Sequence, residues 1–391
     1  MSHINFDEIV NRKGTDSIKW DHLQKHFGQE DLLPLWVADM DFRCPPAVVQ
    51  SMKDIAEHGI YGYVMQRDDY YNAVISWMQR RFNWTIEKDW ILFMPGIVPA
   101  IRLAIDTFTQ PGDGVIVQQP VYFPFMAVTK EAERQVLNNR LIETENGYQI
   151  DFEDLEEKAK DPKAKMMILC SPHNPVGRVW TQEELKRIID ICGENDVILV
   201  SDEIHQDLIH TGHKHIPAAN LTDQSAKIIT CTAPSKTFNV ASLFASNIII
   251  SNEKLREAFK KELDKMHLMP SSFTIGAVKA AYNEGEAWLE ELLSYLSDNI
   301  DYVFDYLSKE LPKVKMRKPE ATFLLWLDFR EYGISSKELE RKMIEEAGLA
   351  LNKGWMFGRE GEGHMRLNVG CPRDILHEAL ERIKKAFKEL E

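Results

Sequence analysis

No stretch of this chain approaches the ~18 consecutive apolar residues that a membrane-spanning helix requires. The opening residues, MSHINFDEIV, carry acidic groups and no apolar core, so neither a secretory leader nor a membrane span is expected. Cysteine is scarce. Its five positions, Cys44, Cys170, Cys192, Cys231 and Cys371, are scattered and odd in number and form no C-x-x-C. That pattern argues against a disulfide framework or a zinc site and for reduced thiols in the cytoplasm. Positive charge is in deficit as well: 47 Lys and Arg against 61 Asp and Glu give a net charge of −14. Binding to phosphate backbones or anionic lipid draws on clustered cations, so neither nucleic acid nor a membrane is an expected partner, and small molecules are. The glycine pattern G-x-G-x-x-G, the phosphate loop G-x-x-x-x-G-K-[ST] and H-E-x-x-H are all missing. Those absences exclude the dinucleotide fingerprint, the P-loop and the helical zinc-protease site.

What is present begins with an ordinary globular composition, 44% hydrophobic and 28% charged, sufficient for one large core and one smaller one. Short β-branched apolar runs end in chemically conspicuous polar residues. Met166 to Cys170 leads to Asn174, Val197 to Val200 leads to Asp202, and Ile228 to Cys231 leads through A-P-S-K-T-F-N to Lys236, with a further strand from Ser246 to Ile250. Consecutive members of the trio are separated by about one strand-helix-strand unit. All three are therefore predicted at the carboxyl edge of one parallel sheet, where open α/β sheets bind ligands. A lysine leaving a core strand is either a snorkelling surface residue or an amine suited to covalent work with carbonyls. An Asn, an Asp and a Lys at one edge match what pyridoxal phosphate needs. The amine bonds the aldehyde, the carboxylate keeps the ring nitrogen protonated, and the amide donates to the ring hydroxyl.

Other elements follow in order. Residues 1 to about 50 are read as an irregular arm interrupted by prolines, and a helix starts at Pro46. Tyr61 and Tyr63 stand in a glycine turn, and a second helix spans 70–82. P-G-I-V places Gly96, Ile97 and Val98 at a helix start, where free amides favour phosphate. Tyr122 lies in Q-P-V-Y-F-P-F beyond the strand 114–117. Thr181 and Glu184 form a capping signal for the crossover helix 181–195. His205, His210, His213 and His215 crowd one stretch without metal spacing, so no metal is expected; His210 to His215 are read as solvated and His205 as a site-edge residue. Helices are expected at 253–266 and 273–283, and one long amphipathic helix at 286–311. A small α+β unit follows, with strands at 323–329, 349–352 and 365–369 and helices at 336–347 and 373–390. In M-R-L-N-V, Arg366 alternates with apolar neighbours along a strand.

S-P-H-N-P-V-G, S-D-E-I-H and A-P-S-K-T-F-N resemble the fold-type-I pyridoxal-phosphate enzymes, and within them the MalY/PatB-type cystathionine β-lyases grouped with class I and II aminotransferases. W-V-A-D-M-D-F, Y-G-Y, P-V-Y-F-P-F, T-F-L-L-W-L-D and M-R-L-N-V-G-C-P-R match in order, so the resemblance covers nearly the whole chain. It implies an α/β fold with a mostly parallel central sheet, helices on both faces and a smaller α+β domain. The implied division is an arm and part of the small domain at 1–50, a large cofactor domain at 51–285, and a bridging helix with the small domain at 286–391. It further implies pyridoxal 5'-phosphate as cofactor, Lys236 as its covalent partner and proton shuttle, and Tyr122 stacked on its ring. Ser235 and the Gly96 turn would hold its phosphate, and Tyr63 would reach the neighbouring subunit's phosphate in a homodimer with shared sites. Arg366 and the backbone near Ala38 would face the substrate carboxylate. The chain departs from the family's F-N-I-A-G-L plus polar residue at Ser242 and Phe244. The resemblance favours a carbon–sulfur β-lyase. An aminotransferase shares the first half of the chemistry, and a regulatory binding protein of the same fold is a third reading that the retained Lys236 disfavours.

Overall fold

The computed structural model describes residues 4–390. Seven strands form its central sheet: β1 (Ile91–Met94), β2 (Gly114–Val117), β3 (Gln135–Asn138), β4 (Ala164–Cys170), β5 (Ile198–Asp202), β6 (Ile228–Thr232) and β7 (Ser246–Ile249). They lie in the order β1-β7-β6-β5-β4-β2-β3. Only β7 runs against its neighbours; the other pairings are parallel. Strand periodicity explains why so much of this sheet is apolar. Met166, Ile168 and Cys170 join one core while Met167 and Leu169 join another, so both faces are covered, as parallel sheets require. The crossover helix Gln182–Glu194 links β4 to β5 and opens with the expected capping box of Thr181 and Glu184. Chain order reverses between β2 and β4, which opens a crevice at their carboxyl ends.

The helix Glu286–Glu310 turns its stripe of Leu289, Leu292, Leu296, Ile300, Val303 and Leu307 into a core shared with the second sheet. That sheet, β8 (Lys315–Met316), β9 (Leu324–Asp328), β10 (Asn352–Lys353) and β11 (His364–Asn368), is antiparallel in the order β8-β9-β11-β10. Two expectations need correction here. The helix expected to run to 347 is α-helical over Ser336–Arg341 and widens to a π turn at Lys342–Glu346. The single strand expected at 349–352 is divided: Leu349–Ala350 pairs in parallel with Leu33–Pro34, and Asn352 begins β10.

The first 50 residues are also more regular than expected, with short helices at Ile18–Asp21 and Leu23–Phe27. Residues 35 to 42 then form a strap between the two sheets. Asn368 of β11 donates its side-chain amide to the carbonyls of Val37 at 2.6 Å and Asp39 at 2.8 Å. From the other side Asn239 accepts from the Met40 amide at 2.9 Å and donates to the carbonyls of Met40 and Phe42. The strap thus has its backbone groups satisfied by both halves of the molecule. Its far end is anchored by the fully buried Lys19, whose Nζ meets Asp41 at 2.7 Å, and by Arg12, which meets the same carboxylate at 2.6 Å. Among the described residues no helix is long and apolar enough to cross a membrane.

Burial alone would raise the Asp41 carboxyl, but Lys19, Trp20 and Arg12 outweigh it and hold the group below its ordinary value. A depressed carboxylate stabilises the fold above its unfolded pKa of about 4, and the contribution is lost as pH falls through the lower folded value. Asp41→Ala leaves Lys19 buried without its partner and is expected to cost about 3–5 kcal/mol at pH 7 in urea unfolding. The difference from wild type is expected to shrink below about pH 4, because the native protein then loses the same charge.

Candidate active site

Lys236 leaves β6 on the short helix Pro234–Thr237, and its Nζ donates to the Ala38 carbonyl of the strap at 2.7 Å. Burial lowers this amine to about 8; Arg366 pushes the same way, while Asp39 and Asp202 oppose. Asp202 ends β5 and is 4% exposed. One of its oxygens accepts from the Ile204 amide at 3.1 Å, and the other receives no hydrogen bond from any described residue. Burial lifts this carboxyl to about 7, helped by Glu203 and opposed by the Ile204 amide and Lys236. Cys170, Asp202 and Cys231 are register partners across β4, β5 and β6, which is why Asn174, Asp202 and Lys236 emerge together.

Arg366 enters from β11. Its Nη1 donates to Asn174 Oδ1 at 2.9 Å, and its Nη2 donates to the Trp36 carbonyl at 2.9 Å and to Asn352 Oδ1. Phe357 lies 4.9 Å from the guanidinium. Every acceptor is a neutral oxygen, the Nε has no partner, and among the described residues no carboxylate pairs with this cation. Burial accordingly lowers its pKa to about 10. Holding a buried cation on neutral dipoles alone is costly, and the arrangement suits an incoming anion.

The remaining expected residues surround these four. Ala38, Gly96, Ile97, Val98, Tyr122, His205 and Ser235 line the same cavity of about 950 Å³ as Lys236, Asp202, Asn174 and Arg366. Ile97 and Val98 form the first turn of the helix Ile97–Phe108, whose opening amides have no intrahelical acceptor. His205 is 3% exposed with an unpartnered Nδ1; burial first, then Lys236 and Arg366, drive it to about 3, so its ring is neutral. Burial and Asp202 raise the Tyr122 hydroxyl, against Arg366. Phe244 lines the cavity in the left-handed region at φ 48°. Tyr63 is not in the cavity: its ring is 99% exposed.

One expectation about the histidines is overturned. His215 is buried, its Nε2 3.0 Å from Glu203 Oε2, and His210 holds the Thr322 carbonyl at 2.7 Å; only His213 of the three is exposed. The buried Glu203 needs donors, and it takes Ser201 Oγ, the Ala218 amide and His215. Sequence reasoning also missed Asn352 and Trp36, which hold Arg366. Asn352 sits directly opposite Arg366 in the β10–β11 register, a pairing that no local motif announces.

Three comparisons bear on this geometry. The chain is 47% identical over 386 residues to cystathionine beta-lyase PatB of Bacillus subtilis (strain 168), spanning 98% of this chain and 100% of that protein. The crystal structure of cystalysin from Treponema denticola, which contains a pyridoxal 5'-phosphate cofactor, superposes with a TM-score of 0.96 at 39% identity over 100% of both chains. The pyridoxal-phosphate-bound C-S lyase of Staphylococcus hominis gives a TM-score of 0.92 at 35% identity over 98% of both chains. The family model for aminotransferase class I and II matches residues 30–383, and the chain belongs to that family.

Proposed function

We propose that this protein is a pyridoxal-phosphate-dependent carbon–sulfur β-lyase that converts cystathionine or other cysteine S-conjugates to pyruvate, ammonia and a thiol. The observation that carries the reading is the meeting of Lys236, Asp202 and an uncompensated Arg366 in one cavity of a chain so similar to a cystathionine β-lyase. The donor set fits the cofactor. Asp202, a buried residue, presents an oxygen without a protein donor, suited to a protonated ring nitrogen. Asn174 has committed its oxygen to Arg366, which leaves its NH₂ for a ring hydroxyl. The amides of Ile97 and Val98 together with Ser235 would take the phosphate. Tyr122 would cover the ring, and His205 would line its edge.

When bound, pyridoxal phosphate supplies an aldehyde for covalent capture of amines and a ring that accepts the electron pair left at the substrate Cα. Lys236 would provide the amine that holds this aldehyde, and its free amine would take the Cα proton. Its lowered pKa keeps a useful fraction of the amine unprotonated near neutrality. Arg366 grips the α-carboxylate, and Ala38 holds Lys236 Nζ within reach. The same residues would serve a lyase where the substrate carries a thiolate leaving group on Cβ, and an aminotransferase where it does not.

We also propose a homodimer with shared sites, acting in the cytoplasm. Ile60, Tyr61, Tyr63 and Met65 form an exposed apolar stretch that a monomer has no reason to leave in water. Tyr63 would reach the partner's phosphate site from there. The large cofactor unit at 51–285 and the bridging helix with the small unit at 286–391, joined by the arm at 1–50, complete the proposal.

The purified enzyme is expected to release pyruvate from cystathionine continuously with no keto acid added; strict dependence on a keto acid would make it an aminotransferase on the same site. Lys236→Ala is expected to lose turnover and the yellow colour of the covalently held cofactor, and a variant that keeps both would refute the assignment. Tyr63→Ala and Lys236→Ala subunits, each inactive alone, are expected to regain part of the activity when mixed and refolded together. Absence of recovery, or a fully active monomer in analytical ultracentrifugation, would rule out shared sites.

A further inference from the structure

The cavity is charged against the trend of the chain. Acidic residues outnumber Lys and Arg by 61 to 47 overall. The cavity lining nevertheless holds one carboxylate, Asp202, against Lys25, Lys236 and Arg366. Three of these four charges are committed by the reading above. Lys25 is not: it is exposed and makes no hydrogen bond or ion pair to any described residue.

Lys25 belongs to the short helix Leu23–Phe27, and His22 and His26 line the same wall. The nearby Asp21 carboxylate accepts the amides of Gly14, Thr15 and Ser17 and makes no ion pair with Lys25. The helix is seated on the Arg366 side of the cavity. The His26 and Phe27 rings pack on Trp36 at 4.8 and 5.2 Å, and the Trp36 carbonyl accepts from Arg366 Nη2 at 2.9 Å. A substrate anchored by its α-carboxylate at Arg366 therefore shares its compartment with a second, unpartnered cation near the opening.

We infer that Lys25, on the wall it shares with His22 and His26, reads a negative charge at the far end of the S-substituent, so that the favoured substrates are cysteine S-conjugates bearing a distal carboxylate. The inference rests on the β-lyase reading of the same site. A cation in a cleft with apolar walls focuses its field on the bound ligand, whereas in open water the same charge is screened. The distal carboxylate is bound alike before and after the Cα proton leaves, so the preference belongs in KM and not in kcat.

S-carboxyethyl-L-cysteine and its isosteric amide, S-carbamoylethyl-L-cysteine, differ by this one charge. For the cofactor-loaded enzyme, kcat/KM for pyruvate release is expected to favour the acid by about fivefold, the scale of one exposed ion pair, with the difference in KM and declining as salt is raised. Lys25→Ala is expected to bring the acid-to-amide ratio towards one, Lys25→Glu to invert it, and Lys25→Arg to preserve it. A loss of fold integrity would lower both substrates together and leave the ratio unmoved. Pyruvate release from both conjugates with the same ratio in wild type and Lys25→Glu overturns the inference while the β-lyase reading stands. Should neither conjugate yield pyruvate, the β-lyase reading fails, and calorimetric binding to cofactor-loaded Lys236→Ala protein decides the charge preference. Tighter binding of the acid, abolished by adding Lys25→Glu, supports it, and equal binding of acid and amide overturns it.

Discussion

A strap of backbone that must satisfy its polar groups on two partners at once holds this molecule's chemistry together. Residues 35 to 42 hydrogen-bond to Asn368 on one side and to Asn239 on the other, and so tie the segment carrying Lys236 to the strand carrying Arg366. The two asparagines lie two or three residues beyond the two functional side chains, one in K-T-F-N and one in R-L-N. Position and chemistry are thus encoded in the same short segments. The strap's own carbonyls then serve the site, that of Trp36 towards Arg366 and that of Ala38 towards Lys236. A backbone carbonyl cannot be altered by point substitution, which makes it a durable orienting group.

The electrostatics of the site follow from how few of its charges are compensated. Elsewhere buried carboxylates have protein partners: Asp41 has Lys19 and Arg12, and Glu203 has Ser201, the Ala218 amide and His215. In the cavity, Lys236 and Arg366 are both pushed down and Asp202 is pushed up, and in each case burial is the largest cause. Each group is moved towards its neutral form, the direction expected when a counter-charge is supplied by something other than the protein. In the proposed reading a cofactor ring nitrogen would answer Asp202, and a substrate carboxylate would answer Arg366. Ligand binding then relieves a desolvation cost that folding leaves in place.

Much of this was legible in the sequence because parallel strands buried on both faces must be continuous apolar runs, and whatever polar residue ends such a run stands at the ligand edge. Asn174, Asp202 and Lys236 could be placed by that rule alone, and the capping box at Thr181 fixed the crossover helix between two of them. Features that depend on long-range register were not legible. Asn352 meets Arg366 only because β10 and β11 pair in one register, and the segment around it divides between two sheets although it reads as one strand. The histidine loop misled for a different reason: its polar, glycine-containing composition reads as solvated, while the burial of His215 is imposed by Glu203 beneath it. Tyr63, exposed here, owes its expected role wholly to the family resemblance and to a second subunit.

The division of labour between the parts of the cavity follows from how firmly each is held. Its floor is built from strand ends in a sheet buried on both faces, where a displaced side chain would disturb two cores. Its opening is lined by a helix of five residues, held by ring contacts to Trp36 and by the hydrogen bond from Trp36 Nε1 to the Lys19 carbonyl. Leu23 and Phe27 fix the helix to a small core, whereas substitutions at the exposed Gln24 and Lys25 face water and leave the cores untouched. Chemistry common to lyases and aminotransferases therefore belongs to the part that cannot vary cheaply, and the choice among substrates belongs to the part that can. A chain can keep Lys236, Asp202 and Arg366 in place and still change what it accepts by exchanging a few residues around Lys25.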